Sequence, residues 1–142
     1  MKNQENRLLT SELLETLASY PLYSQEHKKV CDLYAVALFR IGNIRWYVLE
    51  GNEEGYRFTF FTLVCGLADC PELGYEDAGE LAGIAVDASR YGLPGITLTV
   101  ERAEDFKPRR LGDIDDEDVK KYVARFTEEE EKTYIIDHSK ND

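Results

Sequence analysis

At 142 residues the chain has the length of one domain, enough to bury a core without disulfide staples. Hydrophobic residues make up 43% and charged residues 32%, which speaks against a disordered chain, and no apolar run approaches the ~20 residues of a membrane helix. Seventeen basic against 28 acidic residues leave a net charge of −11, a balance that disfavours broad contact with phosphate backbones.

The first helix is signalled by Thr10 as cap, Glu12 and Glu15 near its positive end, and Pro21 beyond it. Leu9 and Leu14 stand where a hydrophobic staple would sit, and Leu13, Leu17 and Tyr20 form the buried stripe. Residues 21–29 are polar and read as a loop. Residues 30–41 are rich in β-branched and aromatic side chains, and Gly42-Asn43 is a two-residue hairpin signal. That turn predicts Ile41 opposite Ile44, Phe39 opposite Trp46 and Ala37 opposite Val48 on a core face. On the other face Arg40 meets Arg45, so solvent is expected at the tip, with Leu38 beside Tyr47 and Val36 beside Leu49 farther in.

Residues 51–55 read as a second turn and residues 56–65 as a third strand, apolar on both faces through Phe58 and Phe60 on one side and Phe61 and Leu63 on the other. Pro71 and Gly74 place residues 66–75 in a loop anchored by Leu73. A short helix is expected over residues 76–86, with Ala78, Leu81, Ala82 and Ala85 inward, then a loop over residues 87–95. Ile96, Leu98 and Val100 alternate with polar residues as a half-buried strand. Residues 106–111 look extended, and a final helix over residues 115–126 carries Val119, Tyr122, Val123 and Phe126 on its apolar stripe. Residues 128–131 read as a solvated run, and Tyr134, Ile135 and Ile136 as an edge strand. The fold class is α+β: a mainly antiparallel sheet of about four or five strands with packed helices, one domain over residues 1–142.

The charge is uneven. Residues 1–50 are neutral, whereas residues 51–100 hold eight acids and two bases and residues 101–142 hold fourteen acids and nine bases. Such a surface attracts a basic protein partner and repels nucleic acid, and duplex DNA binding at physiological salt is not expected. The cysteines are Cys31, Cys65 and Cys70, an odd number without a C-x-x-C pair. With the polar start of the chain they point to reduced thiols and a cytoplasmic location.

The run Cys70-Pro71-Glu72-Leu73-Gly74-Tyr75, followed by Glu80-Leu81, resembles the hallmark of a bacterial family catalogued as a domain of unknown function, number 2958. Further pieces follow in that family's order: Leu8-Leu9-Thr10, Trp46 before Glu50, residues 61–66, Gly92-Leu93-Pro94, Glu101-Arg102 and Phe106-Lys107-Pro108. The match covers residues 8–111. It departs from the family where residues 96–100 stand inserted and where a helical extension, residues 112–142, follows the usual end. The resemblance implies an accessory protein of a plasmid or other mobile genetic element, and no reaction.

No P-loop, dinucleotide glycine pattern or H-E-x-x-H motif is present. His27 falls in a loop and His138 in the tail, so neither stands ready as base for a cysteine or serine nucleophile. Asp69, Glu72, Glu76, Asp77 and Glu80 would serve a divalent metal only if they converged, and no metal site or cofactor is expected. The binding residues put forward are Glu72, Tyr75, Glu76 and Glu80, around a loop held between a buried strand and a helix. Lys107, Arg109 and Arg110 would either clamp a phosphate or neutralise nearby acids. The favoured function is a non-enzymatic protein-interaction module with an acidic surface. The alternatives are a small metal-dependent hydrolase or nuclease-like enzyme built on the carboxylates, and a small-ligand binding module.

Overall fold

The computed structural model describes residues 6–127. The acidic run 128–131, the strand expected at Tyr134, Ile135 and Ile136, and His138 lie outside the described residues. Helix α1 (Ser11–Leu17) starts as the sequence requires, with the Thr10 hydroxyl accepting from the Leu13 amide at 3.2 Å. Residues 30–41 do not form one strand. They divide into a 3-10 turn (Val30–Asp32), strand β1 (Tyr34–Ala35) and strand β2 (Ala37–Ile41). The Gly42-Asn43 turn follows, with Gly42 at a φ of 55° that a side chain would strain. It sets the expected register with β3 (Ile44–Glu54): Ile41 pairs Ile44, Arg40 pairs Arg45, Phe39 pairs Trp46 and Ala37 pairs Val48.

Strand β3 runs past the turn expected at residues 51–55. A bulge between Val48 and Glu50 shifts the register, and the reversal comes at Gly55-Tyr56 before β4 (Arg57–Cys65). Gly51 and Asn52 carry turn chemistry, yet Gly51 serves packing: a Cβ there would lie 3.0 Å from the Phe58 ring and 3.1 Å from the Thr59 carbonyl oxygen. The segment expected as a loop around Leu73 is instead strand β5 (Glu72–Asp77), paired with β4 from Val64–Glu72 to Thr59–Asp77. Helix α2 (Ala78–Gly83) is shorter than expected. The Asp77 carboxylate accepts from the Glu80 amide at 3.0 Å, and Ala85 is exposed rather than inward. Beyond it β6 (Ala85–Asp87) pairs β7 (Thr97–Thr99) as a separate ribbon. Strand β8 (Glu101–Arg102) completes the main sheet, ordered β5-β4-β3-β2-β8 with every pair antiparallel, and β9 (Arg109–Arg110) pairs β1. Helix α3 occupies residues 117–127. The architecture is α+β.

The sheet buries both faces because β4 is apolar on both. One core joins Leu13 and Leu17 of α1 to Phe39, Trp46, Phe58, Phe60 and Leu81. The other joins Leu38, Tyr47, Leu49, Leu63 and Cys65 to Leu111, Ile114, Val119 and Tyr122, with Leu73 packed at its margin. Solvent was expected beside Arg45, but the start of α3 covers it. The Arg45 guanidinium meets Asp116 at 2.9 and 3.0 Å and Asp118 at 2.7 Å, and the Tyr47 hydroxyl donates to Asp116 at 2.6 Å. Burial alone would push the Asp116 carboxyl up; Arg45 and Tyr47 overcome it and hold the group below the usual carboxylate range. Arg40, its cross-strand neighbour, stays exposed.

Candidate functional site

The second face of the sheet is covered at one end by α3, and the loop of residues 21–29 is fastened to β3. That loop is fastened by backbone amides. The Leu22 amide donates to the Asn52 side chain at 2.7 Å, and the Tyr23 and Gln25 amides donate to the two Glu50 carboxylate oxygens, each at 2.8 Å. Glu50 is 4% exposed and Gln25 1%. The Gln25 side chain bonds the Tyr34 amide and carbonyl and the Leu49 carbonyl, tying the loop to β1 and β3. A carboxylate buried among donors is satisfied by hydrogen bonds rather than by a salt bridge.

This anchoring has a visible cost. Tyr23 sits at a φ of 73°, the one positive value at a non-glycine among the described residues. Its ring is exposed and lies 6.3 Å from the exposed ring of Tyr75, which packs 5.0 Å from Phe61. Strain at an exposed aromatic is worth a functional explanation. The Tyr75 hydroxyl, hydrogen-bonded to Tyr23 and near Glu50 and Glu54, is pushed up to about 12 and stays protonated. Beside the pair opens a cleft of about 410 Å³ whose other walls are Glu54, Arg57, Thr59, Glu76, Asp77 and Glu80.

Three of the four binding residues put forward from sequence, Tyr75, Glu76 and Glu80, therefore line one cleft. Glu72 does not. It lies two strand positions beyond Gly74 on the Glu76 face, in a hollow of about 140 Å³ with Cys70 and Leu73. Asp69 stays in the preceding loop, and Asp77 is engaged in capping α2. The carboxylates spread along an edge instead of converging, and among the described residues no group of three or more His, Cys, Asp and Glu side chains is placed to hold a metal ion. Of the basic cluster, Arg110 neutralises Asp32 and Asp113, each at 3.1 Å. Lys107 and Arg109 join Arg40 around a hollow of about 230 Å³ that Leu38, Tyr47 and Phe106 also line, together with the carboxylates of Asp105, paired with Arg40 at 3.8 Å, and Asp115. Sequence reasoning missed Tyr23, Glu50 and Gln25, since nothing in a polar loop marks its backbone for capture by a strand carboxylate.

Burial, and then the charge of Glu80, raises the Glu76 carboxyl above its ordinary value. A raised carboxyl binds protons more tightly folded than unfolded. Its favourable contribution is complete below the unfolded value and lost as pH rises through the folded one. Glu76→Gln is therefore expected to raise the melting temperature at neutral pH by about 1–2 °C and to lose that gain on acidification below the carboxylate range. Melting curves at the two pH values check it.

No family model, curated protein or solved structure matches this chain. Among the described residues no helix is long and apolar enough to cross a membrane.

Proposed function

We propose that this protein is a non-enzymatic interaction module whose acidic, aromatic cleft receives a basic segment of a partner protein. The observation that carries the reading is the exposed Tyr23–Tyr75 pair beside a cleft that Glu54, Glu76 and Glu80 also line, with Tyr23 held there by a strained loop that a buried carboxylate pins. A lysine or arginine entering there meets ring faces and carboxylates together. The net charge of −11 steers basic partners toward the molecule and nucleic acid away from it. The resemblance of its ordered sequence pieces to domain-of-unknown-function family 2958 supports a role as an accessory protein of a mobile genetic element. Three cysteines without a disulfide fit the reducing cytoplasm. A second reading, a small-ligand module, has its own support in the hollow lined by Arg40, Lys107 and Arg109 together with Asp105 and Asp115, where a small polar ligand would meet both signs of charge.

Titration with a fluorescent lysine- and arginine-rich peptide tests the main reading. Binding is expected, weakening as salt rises past the ~10 Å screening length of 0.1 M. It should fall about tenfold in Tyr75→Ala, whose ring is exposed and whose loss leaves the core in place. Absence of binding, or tighter binding of a DNA duplex than of the peptide, overturns it.

A further inference from the structure

Strand β5 is an edge of the main sheet, and it is fully formed. All six of its residues pair with β4 without a bulge, giving an edge roughly 20 Å long. The opposite edge strand, β8, has two residues and offers little to pair with. Among the described residues no strand lies on the outer side of β5, and no loop or turn backbone bonds to residues 72–77. Alternate residues of such a strand direct amide and carbonyl groups outward, a template for another strand. Proteins commonly guard such an edge with lysine, proline or a bulge. Pro71 stands just before β5, not in it, and its charged residues, Glu72, Glu76 and Asp77, are all acidic.

We infer that β5 binds its partner by strand addition: an extended basic segment of another protein becomes the next strand of the sheet. The inference rests on the basic-partner reading above and specifies how the partner is held. Charge selects the occupant. Two copies of β5 joined antiparallel about Gly74 would set Glu72 against Glu76 twice, and like charges directly opposite are unfavourable. A strand with lysines four positions apart sets one opposite Glu72 and the other opposite Glu76. Between them Gly74 leaves open space, with nothing within 4 Å of where a Cβ would stand, so a large partner side chain fits there. On the other face the neighbouring partner residues meet Leu73 and Tyr75, favouring β-branched side chains. The segment recognised reads basic, β-branched, large apolar, β-branched, basic.

The test uses the full chain and three fluorescent peptides: acetyl-Lys-Val-Phe-Val-Lys-amide, and two forms N-methylated at alternate residues so that each removes one parity of backbone donors. Strand addition engages one parity only, so one methylated form should bind about tenfold more weakly and the other within about twofold of the parent. Glu72→Lys, at an exposed position, should weaken binding of the parent peptide and favour instead a peptide with one of its two lysines replaced by glutamate, whose glutamate meets position 72 while its lysine meets Glu76. If the parent binds and both methylated forms bind equally well, the cleft holds basic groups without strand addition, and this inference fails while the proposed function stands. If the parent does not bind, both fail. Self-association of the chain through β5, seen by sedimentation and abolished by Glu72→Pro, would overturn the assignment of a basic occupant.

Discussion

A chain ending at Gly112 is expected to lose cooperative unfolding. The sequence alone marks residues 112–142 as a helical extension beyond the family-like stretch. The packing argues otherwise. Ile114, Val119 and Tyr122 are buried among Leu38, Tyr47, Leu63 and Cys65, and the cut lays that face open to water. Burial of a large apolar side chain is worth about 1.5–3 kcal/mol, so three such losses approach the 5–15 kcal/mol that typically holds a domain together. The same cut strips Arg45 of Asp116 and Asp118 and leaves the Tyr47 hydroxyl without its acceptor. The Arg45 and Asp116 side chains are only 15% and 13% exposed in the intact chain, so the cut replaces a shielded ion pair by a lone guanidinium in water. Acid should imitate part of the effect. The Asp116 carboxyl is held low when folded, so its contribution is present above the unfolded value and disappears as pH falls through the folded one. Urea unfolding followed by the fluorescence of Trp46 decides the matter: a broad, shallow transition is expected, and a sharp one at the full-length midpoint would show the helix dispensable.

The parts of the fold legible in the sequence are those fixed locally. Gly42 and Asn43 define a turn with few geometries, and the turn dictates the register of Phe39 against Trp46. The double apolar pattern of β4 announced a strand covered on both sides, and both cores meet there. What was not legible depends on the rest of the molecule. Residues 72–77 have weak strand propensity, with acids, a glycine and a proline just before them, and become a strand because β4 offers a ladder. The bulge at Leu49 lets β3 continue through residues that spell a turn. The charges carried by residues 115–118 read as a favourable helix start, and they are; that Arg45 waits beneath them is a contact across some 70 positions that no local pattern reports. The candidate site divides the same way. Tyr75, Glu76 and Glu80 stood out by composition, whereas Tyr23 reaches them only through the fold.

Glu50 is where the fold and the candidate site meet. Replacing it by alanine should cost about 3–6 kcal/mol, because one buried and one part-buried amide lose charged acceptors worth about 1.5–3 kcal/mol each. Glutamine is the sharper test. It keeps the size of the side chain but has one acceptor oxygen, so its amide group would turn a donor toward a donor at Tyr23 or Gln25. The loss should be intermediate, about 2 kcal/mol, and the stability order wild type, Glu50→Gln, Glu50→Ala. Glu50 is the charged anchor of Tyr23: the backbone there is strained, the ring is exposed, and the amide is held by the carboxylate. Once released, the loop can relax to negative φ and carry the ring away from Tyr75. Peptide affinity should then fall with Glu50→Gln although the exposed carboxylates of the cleft, Glu54 and Glu80, are untouched, and the amides of Tyr23 and Gln25 should lose hydrogen-exchange protection while those of β4 keep it. If Glu50→Gln melts with the wild type and binds as well, the carboxylate is not the pin, and the exposed position of Tyr23 needs another cause.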